Sequence, residues 1–337
     1  MGAYSTKKDV VRKEMIGLLL LAIFIISFLF MEEIKNDSVF DNLPSSIMHV
    51  NTVFLSILIE AVPFILLGVF VSALIQTFVT EQHIQRLIPK NPFLGIGVVL
   101  FMGVIFPVCE CAIIPVVRRL IKKGLPLHLG TVFLLTVPIV NPVVILSTFY
   151  AFRNNMAVVY GRIGLALLVA IIIGLIVYYA FRNKDQLRVH VEHGAHDHSH
   201  GLTMSRWKQT VYHASDEFFD TGKFLIFGAF LASMFQVFIN RNDLLALGGN
   251  EWSSTGLMMG LAFLLSICSE ADAFIAASFG STFTVGSIIA FLVYGPMLDV
   301  KNMLMMFAYF KTRFVFVLMG LITLTVFAVT MIYQFVA

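Results

Sequence analysis

Long apolar runs, separated by short polar stretches, set the pattern of this chain. Runs long enough to cross a hydrocarbon core of about 30 Å as helices cover residues 15–31, 52–79, 125–150, 156–181, 216–239, 283–310 and 313–335. They lack the period-two alternation of a membrane β-barrel, so the pattern predicts a bundle of transmembrane helices. The composition, with 58% hydrophobic and 13% charged residues, excludes a soluble globular protein.

Two further apolar segments, residues 93–124 and 254–282, carry related motifs near their centres. The first contains Pro107-Val-Cys-Glu-Cys-Ala-Ile-Ile-Pro115, and the second contains Ile267-Cys-Ser-Glu-Ala-Asp-Ala-Phe274. Other positions that repeat with matched spacing are Glu60 and Asp220, Gln76 and Gln236, and Pro138-Ile-Val-Asn141 and Pro296-Met-Leu-Asp299. A membrane unit that occurs twice in one chain is typical of secondary transporters.

The positive charges favour one topology for the two motif segments. If both segments are re-entrant hairpins and the N-terminus is inside, the cytoplasmic side collects 17 Lys and Arg residues and the outside holds three. If both segments cross the membrane fully, the count becomes ten against ten. Because cytoplasmic loops carry an excess of Lys and Arg, the hairpin arrangement is favoured.

We therefore predict an all-α polytopic membrane protein built from inverted repeats. Each repeat has three transmembrane helices plus a re-entrant hairpin, and one extra N-terminal helix precedes both. The odd number of crossings inverts the second repeat, so the two hairpins are expected to meet near the midplane. The predicted parts are an N-terminal helix and external loop (1–50), a first membrane repeat (51–182), a His-rich cytoplasmic linker (183–213) and a second membrane repeat (214–337).

Carboxylates at membrane depth are the first candidates for chemistry. Glu110 and Glu270 hold equivalent positions in the two motifs, while Ser269 precedes the second acid and Asp272 follows it. A charged side chain at this depth costs about 3 kcal/mol on insertion, so such groups usually face a cavity or a partner. They are expected to contact substrate or a coupling ion. Alternatively, the two glutamates form a clasp that holds the hairpins together.

All three cysteines of the chain also lie in these motifs. Cys109 and Cys111 form a Cys-x-Cys pair, and Cys268 belongs to the second motif. Thiolates select soft species such as trivalent arsenic, Cu(I), Zn(II) or Cd(II). Residues two apart on a continuous helix point in different directions, so a shared ligand requires an unwound tip. The alternative is that the cysteines pack as small buried hydrophobic residues.

Two more groups of polar residues are candidates. Asn141 and Asp299 match across the repeats and could coordinate substrate or a coupling ion, or simply join two helices by a hydrogen bond. The linker contains five histidines, whose imidazoles could bind Zn or another divalent metal in a loose, exchangeable way. Those histidines are His190, His193, His196, His198 and His200. The alternative for the linker is a solvated segment without metal, and no other cofactor is predicted.

Three segments together resemble a known family. They are Cys109-Glu-Cys-Ala-Ile-Ile-Pro115, Thr136-Val-Pro-Ile-Val-Asn-Pro142 and Ser269-Glu-Ala-Asp-Ala-Phe-Ile-Ala-Ala-Ser278. They are similar to the ArsP-type predicted permeases, and the resemblance extends from about residue 50 to residue 335. It implies a polytopic inner-membrane permease. Some members export trivalent organoarsenicals, and the matching cysteines here are Cys109 and Cys111. Others occur beside zinc-homeostasis genes, which suits the His-rich linker.

The sequence thus predicts a secondary carrier in the plasma (inner) membrane, with a cytoplasmic N-terminus. Its expected cargo is a soft metal or metalloid species, such as a trivalent (organo)arsenical, and its expected coupling is to protons. The alternatives are a zinc or other divalent-cation permease, a channel and a non-transporting scaffold. The expected partners are the lipid bilayer, a small inorganic or organometalloid substrate, and a second copy or an accessory membrane or lipoprotein component. Nucleic acid is not expected, and the missing His-Glu-x-x-His, phosphate-loop and Gly-x-Ser-x-Gly motifs argue against an enzyme.

The hairpin topology predicts opposite accessibility at two positions. A cysteine placed at Lys123 should react with a membrane-impermeant maleimide from the cytoplasmic side alone, and one placed at Gly280 from the outside alone. The two positions follow the two motifs, whose hairpins enter from opposite faces. Labelling of both positions from the same side would contradict the inverted arrangement.

Overall fold

The structure is a computed structural model that describes residues 45–336 apart from 81, 83, 85, 87, 90, 106–107, 182–185, 189–205, 239–249 and 281. The chain forms two compact units, Met1–His49 and Val50–Ala337. The described residues of the first unit are 45–49, which are helical. Within the described ranges the secondary structure is helical, with one isolated antiparallel bridge between Leu187 and Phe310. The predicted span 15–31 and the five linker histidines lie outside the described residues.

The helices of the described ranges form two successive series with the same order of elements. The first series is α1 (Ser45–Phe78), α2 (Pro92–Ile105), α3 (Glu110–Lys122), α4 (Leu127–Val140), α5 (Pro142–Ala151) and α6 (Met156–Ala180). The second series is α7 (Arg206–Phe238), α8 (Glu251–Leu265), α9 (Asp272–Ser278), α10 (Val285–Met297), α11 (Val300–Tyr309) and α12 (Thr312–Val336). The duplication seen in the motifs therefore extends to the succession of helices.

Among the residues that the structure describes, five helical segments are long and apolar enough to span a membrane. They are Met48–Phe78, Met156–Ala180, Glu217–Phe238, Val285–Tyr309 and Thr312–Val336. The pair α4 and α5, bent by 41°, supplies a sixth span if it is counted as one element. These segments correspond to the predicted spans between residues 52 and 335, so the chain is a multi-pass helical membrane protein. The inverted relation of the repeats and the re-entrant path of the motif segments stay predictions.

The segment Val285–Tyr309 lies at the centre of the bundle. Its most apolar window is 89% buried inside the protein, whereas the other four spans bury between 28% and 39% of theirs. The apolar side chains that those four spans leave exposed are suited to contact with lipid. The central segment is also where the second repeat places Asp299 and Lys301, so its polar residues are shielded from lipid.

Helix breaks occur at matching places because the sequence caps a new helix there. The side chain of Asn141 accepts a hydrogen bond from the backbone N–H of Val144 at 2.9 Å and so begins α5. Asp299 does the same at the start of α11, where it accepts from the backbone N–H of Asn302 at 2.6 Å. The preceding helices each contain a proline near the end, Pro138 in α4 and Pro296 in α10, which removes a backbone hydrogen bond and weakens the helix there.

Both motif segments are likewise broken into two helices. The first break separates α2 from α3 and includes Cys109 in extended conformation, with φ −75° and ψ 170°. The second break follows Ser266, whose left-handed backbone, with φ 47°, ends α8. Each motif helix then packs against the other repeat, α3 against α11 and α9 against α5. The two repeats therefore interlock through their motifs.

The far end of α3 is held by a buried acid that the sequence analysis did not single out. Glu217 of α7 accepts a hydrogen bond from the hydroxyl of Ser72 in α1 at 2.8 Å. Its other oxygen pairs with Nε of Arg119 at 3.4 Å. Since a buried charge is costly unless it is paired, this acid joins α1, α3 and α7 at one level of the bundle.

Close packing between α4 and α6 depends on the absence of a side chain at Gly174. A Cβ at this position would lie 2.3 Å from Cγ2 of Val132, whereas a Cβ at Gly164 in the same helix would meet no atom within 4 Å. We expect Gly174→Leu to cost about 1–3 kcal/mol by overpacking and to lower the midpoint of thermal unfolding in detergent. Gly164→Leu is the matched control and should leave the midpoint close to that of the parent protein. Equal shifts in the two variants would contradict this packing.

Candidate substrate site

A hydrogen bond between the two motifs marks the candidate site. The hydroxyl of Ser269 donates to Oε2 of Glu110 at 2.9 Å, across 159 residues of sequence. Both side chains are buried, with 0% and 1% exposure. Glu110 is the first residue of α3, where the positive end of the helix dipole favours a carboxylate. The structure thus brings together the two breaks that carry the repeated acids.

The three thiols of the chain also meet here. The thiol of Cys111 lies near enough to those of Cys109 and Cys268 to interact with both, and all three cysteines are buried and free. Cys109 and Cys111 can approach the same point because Cys109 precedes the helix and has extended backbone. This is the unwound tip that a shared ligand requires. The cluster contains sulfur atoms from both repeats.

A lysine that the sequence analysis missed lies beside the thiols. Lys301 is completely buried, and its ammonium group interacts electrostatically with Cys268, Cys111, Asp299 and Glu110. Its Nζ lies 3.8 Å from Oδ2 of Asp299. The signal that could have found it is a lone basic residue within an apolar span, two positions after the acid that matches across the repeats.

Asp272 is bound by an arginine and not by the thiol cluster. Nη1 and Nη2 of Arg162 donate to the two oxygens of Asp272 at 2.9 and 2.7 Å. Nη1 also donates to the hydroxyl of Thr148 at 2.8 Å, and Nη2 donates to the backbone carbonyl of Ser269 at 3.4 Å. Arg162 is 1% exposed, and it was missed in the sequence although it lies inside a predicted span. The pair ties α6 and α5 of the first repeat to α9 of the second.

The remaining predicted site residues have different surroundings. Glu270 is half-buried, and its Oε2 has no hydrogen-bond partner. It interacts electrostatically with Glu110 and Glu60. The side chain of Asn141 caps α5, and that of Asp299 caps α11 while facing Lys301. A role of these residues in binding substrate or a coupling ion stays a prediction.

A small cavity beside Glu110 shows that the site is closed in this conformation. Its volume is about 10 Å³, and its lining includes Glu110, Asn302 and Met306, which leaves space for about one water molecule. Oε1 of Glu110 and Oδ1 of Asn302 are buried without a hydrogen-bond partner. Across the described ranges, no group of three or more His, Cys, Asp or Glu side chains is arranged to hold a metal ion. Admission of a ligand therefore requires a rearrangement of these side chains.

Over residues 46–335 the chain matches the ArsP_1 family, whose description is "Predicted permease". The chain belongs to this family. It is 53% identical over 284 residues to "UPF0718 protein YcgR" of Bacillus subtilis (strain 168), covering 84% of this chain and 96% of that protein. It is 41% identical over 283 residues to a protein of Streptococcus mutans serotype c, covering 84% and 94% of the two chains. That protein is named "Putative two-component membrane permease complex subunit".

No solved structure matches the chain. Membership of the ArsP_1 family confirms the resemblance found in the motifs, and together with the apolar helices it identifies a multi-pass membrane protein of a permease family. The thiol cluster, the Glu110–Ser269 hydrogen bond and the Arg162–Asp272 ion pair all lie within the matched residues.

The ion pair between Arg162 and Asp272 can be tested by a double-mutant cycle. Arg162→Leu leaves a buried carboxylate without its partner and should cost about 3–5 kcal/mol, which lowers the yield of folded protein and the unfolding midpoint in detergent. Arg162→Leu combined with Asp272→Asn removes both charges and should recover most of the loss. A double variant no more stable than the single one would show that the pair does not act as a unit.

Proposed function

We propose that this ArsP_1-family chain is a secondary carrier that moves a soft metal or metalloid species, such as a trivalent arsenical, across the inner membrane. The observation that supports it is the meeting of Cys109, Cys111 and Cys268 at the contact between the two repeats. Soft ions and metalloids bind thiolate sulfur in preference to oxygen ligands. A site at the junction of two repeats is where such carriers bind substrate.

The chemistry of a trivalent arsenical suits a cluster of thiols. Each As–S bond forms when a thiol replaces a hydroxyl group on arsenic and one water leaves, so two neighbouring thiols can hold a compound of the form R–As(OH)₂. Cys111 lies next to a thiol of its own motif and next to one of the other motif. A ligand held between Cys111 and Cys268 would bridge the two repeats, so movement between the repeats would release it.

Coupling to protons is assigned to Glu110 in this proposal. One oxygen of Glu110 accepts from Ser269, and the other is buried without a partner beside the cavity. Burial of a carboxyl group costs less free energy in its neutral form than in its ionised form. The ionised form needs a cation as a partner. The buried oxygen without a partner is the feature that supports this assignment.

Alternating access is proposed to be a movement of one repeat against the other. The contacts that would have to open include the Glu110–Ser269 hydrogen bond and the interactions among the thiols, which join the two motifs. The inverted relation of the repeats is part of this proposal, because it gives the two membrane faces equivalent routes to one site.

A second membrane component is proposed as a partner. The S. mutans relative carries in its name the description of a subunit of a two-component membrane permease complex. That relative shares 41% identity with this chain over 283 residues. We extend the two-component arrangement to this protein, with the transport site inside the chain described here and the second component outside it.

The role of Glu110 predicts a loss of transport without a loss of protein. Glu110→Gln keeps the size of the side chain but cannot exchange a proton, so we expect the initial rate of methylarsenite uptake into everted vesicles to fall at least about tenfold. The same measurement with arsenite and Zn(II) shows which of these species is transported. Repeating it with and without a proton gradient shows whether transport is coupled to protons.

The matched control is Glu251→Gln, which neutralises an exposed acid at the start of α8 and should leave the uptake rate unchanged. Quantification of the protein in the membrane separates transport from insertion. Normal uptake by Glu110→Gln would refute the role of this residue.

A further inference from the structure

The buried lysine Lys301 interacts electrostatically with the thiols of the candidate site. Lys301 is 0% exposed, and the groups that interact with it electrostatically are Cys268, Cys111, Asp299 and Glu110. Any ligand held by these thiols would therefore lie close to an ammonium group. The charge of the ligand must influence its binding.

The neighbouring helix is shaped to accommodate this lysine. A Cβ at Gly228 of α7 would lie 3.1 Å from Cα of Lys301 and 3.4 Å from its Cγ. By comparison, a Cβ at Gly222 of the same helix would meet no atom within 4 Å. The glycine at 228 thus allows α7 to pack tightly over the residue that carries the charge.

Lys301 has no counterpart at the matching position of the first repeat. It stands two residues after Asp299, and the residue two positions after the matching Asn141 is Val143, which is 52% exposed. Asn141 and Asp299 both cap a helix, so the first repeat forms the same structure without a buried cation. The fold of this segment does not require Lys301.

Pairing with Asp299 does not account for the position of Lys301. The separation of 3.8 Å exceeds the 2.7–2.9 Å that is typical of a charge-assisted hydrogen bond. The other oxygen of Asp299 is occupied by the backbone N–H of Asn302 at 2.6 Å. The ammonium group also interacts electrostatically with Glu110 and the thiols, so Asp299 does not take up its charge alone.

We propose that Lys301 sets the charge selectivity of the thiol site, so that uncharged trivalent metalloid hydroxides bind and free divalent cations are disfavoured. The inference rests on the proposed function, because it assumes that the thiols hold the substrate. An ammonium group that interacts electrostatically with the thiols also repels a divalent cation bound to them, strongly enough at an effective dielectric constant of about 20 to lower the affinity of the cation at least tenfold. A compound R–As(OH)₂ exchanges two hydroxyls for two thiols with release of two waters, so no net charge enters the site.

The test compares a divalent and an uncharged thiol ligand on the purified full-length protein in detergent. The probes are CdCl₂ and phenylarsine oxide, and the readout is the amount of cadmium or arsenic retained per protein over a range of probe concentrations. A variant with serine in place of all three cysteines measures how much probe binds elsewhere in the chain, including the histidines of residues 190–200. This amount is subtracted from the amount retained by the protein with its cysteines.

Lys301→Met should raise the affinity for Cd²⁺ at least about tenfold and change that for phenylarsine oxide less than about threefold. Lys223→Met, which removes an exposed lysine from α7, is the control and should change neither. Because Lys301→Met also uncovers the charge of Asp299, the variant Asp299→Asn/Lys301→Met is measured too. The double variant should show the same gain in affinity for Cd²⁺, because the repulsion by the ammonium group is gone and no unpaired acid is left. If the single variant fails to fold, the double variant provides the test.

An unchanged affinity for Cd²⁺, or equal changes for the two probes, would overturn the role of Lys301 while leaving the thiol site in place. If the parent protein retains neither probe above the cysteine-free variant, the proposed function fails and the inference fails with it. A purely structural role of Lys301 would affect both ligands alike, so the ratio of the two affinities distinguishes the two explanations.

Discussion

The pairing of buried polar groups between the two repeats is the constraint on which this structure depends. In an apolar bundle surrounded by lipid, a carboxylate or guanidinium without a partner costs several kcal/mol. The protein meets this requirement across its halves, where Ser269 donates to Glu110 and Arg162 binds Asp272 through two hydrogen bonds. The hydrogen bonds that give these buried polar groups a partner are therefore also contacts that hold the two repeats together.

Broken helices make these pairings possible. Irregular backbone within a membrane protein is tolerated where protein surrounds it, and the caps at Asn141 and Asp299 and the left-handed residue Ser266 lie in such places. The break before α3 leaves Cys109 extended, which turns a Cys-x-Cys pair into two thiols that can meet. The same local feature thus ends a helix and forms the candidate site.

The two halves are alike in architecture and different in charge. In the described ranges both show the same succession of helices, and each motif helix packs against the other half. Yet Arg162 belongs to the first repeat and Lys301 to the second. In the carrier proposed above, such differences would give the site a defined chemistry, while the shared succession of helices would supply the pseudo-symmetry that alternating access uses.

The sequence by itself determined the class of protein, most of the spans and the duplication. Apolar run length and repeated spacing are properties of the chain, so the spans near 52–79, 156–181 and 313–335 could be placed without coordinates. It also identified Glu110 and the cysteines as candidates, because acids and thiols within apolar runs are conspicuous. It predicted that the two motifs meet, but it did not show which side chains form the contact, since those residues are about 160 positions apart.

Only the tertiary structure showed which side chains contact the buried charged groups. From the sequence, Asp272 was grouped with the candidate acids, whereas in the fold its two oxygens are bound by Arg162, 110 positions away. Lys301 was missed in the sequence, because an isolated lysine in an apolar run belongs to no periodic pattern, and its place two positions after Asp299 was the one signal that could have marked it. The role proposed for Lys301 depends on its burial and on its electrostatic interaction with the thiols. Local pattern fixes where helices form, but the pairing of charges is decided by which helix faces come into contact.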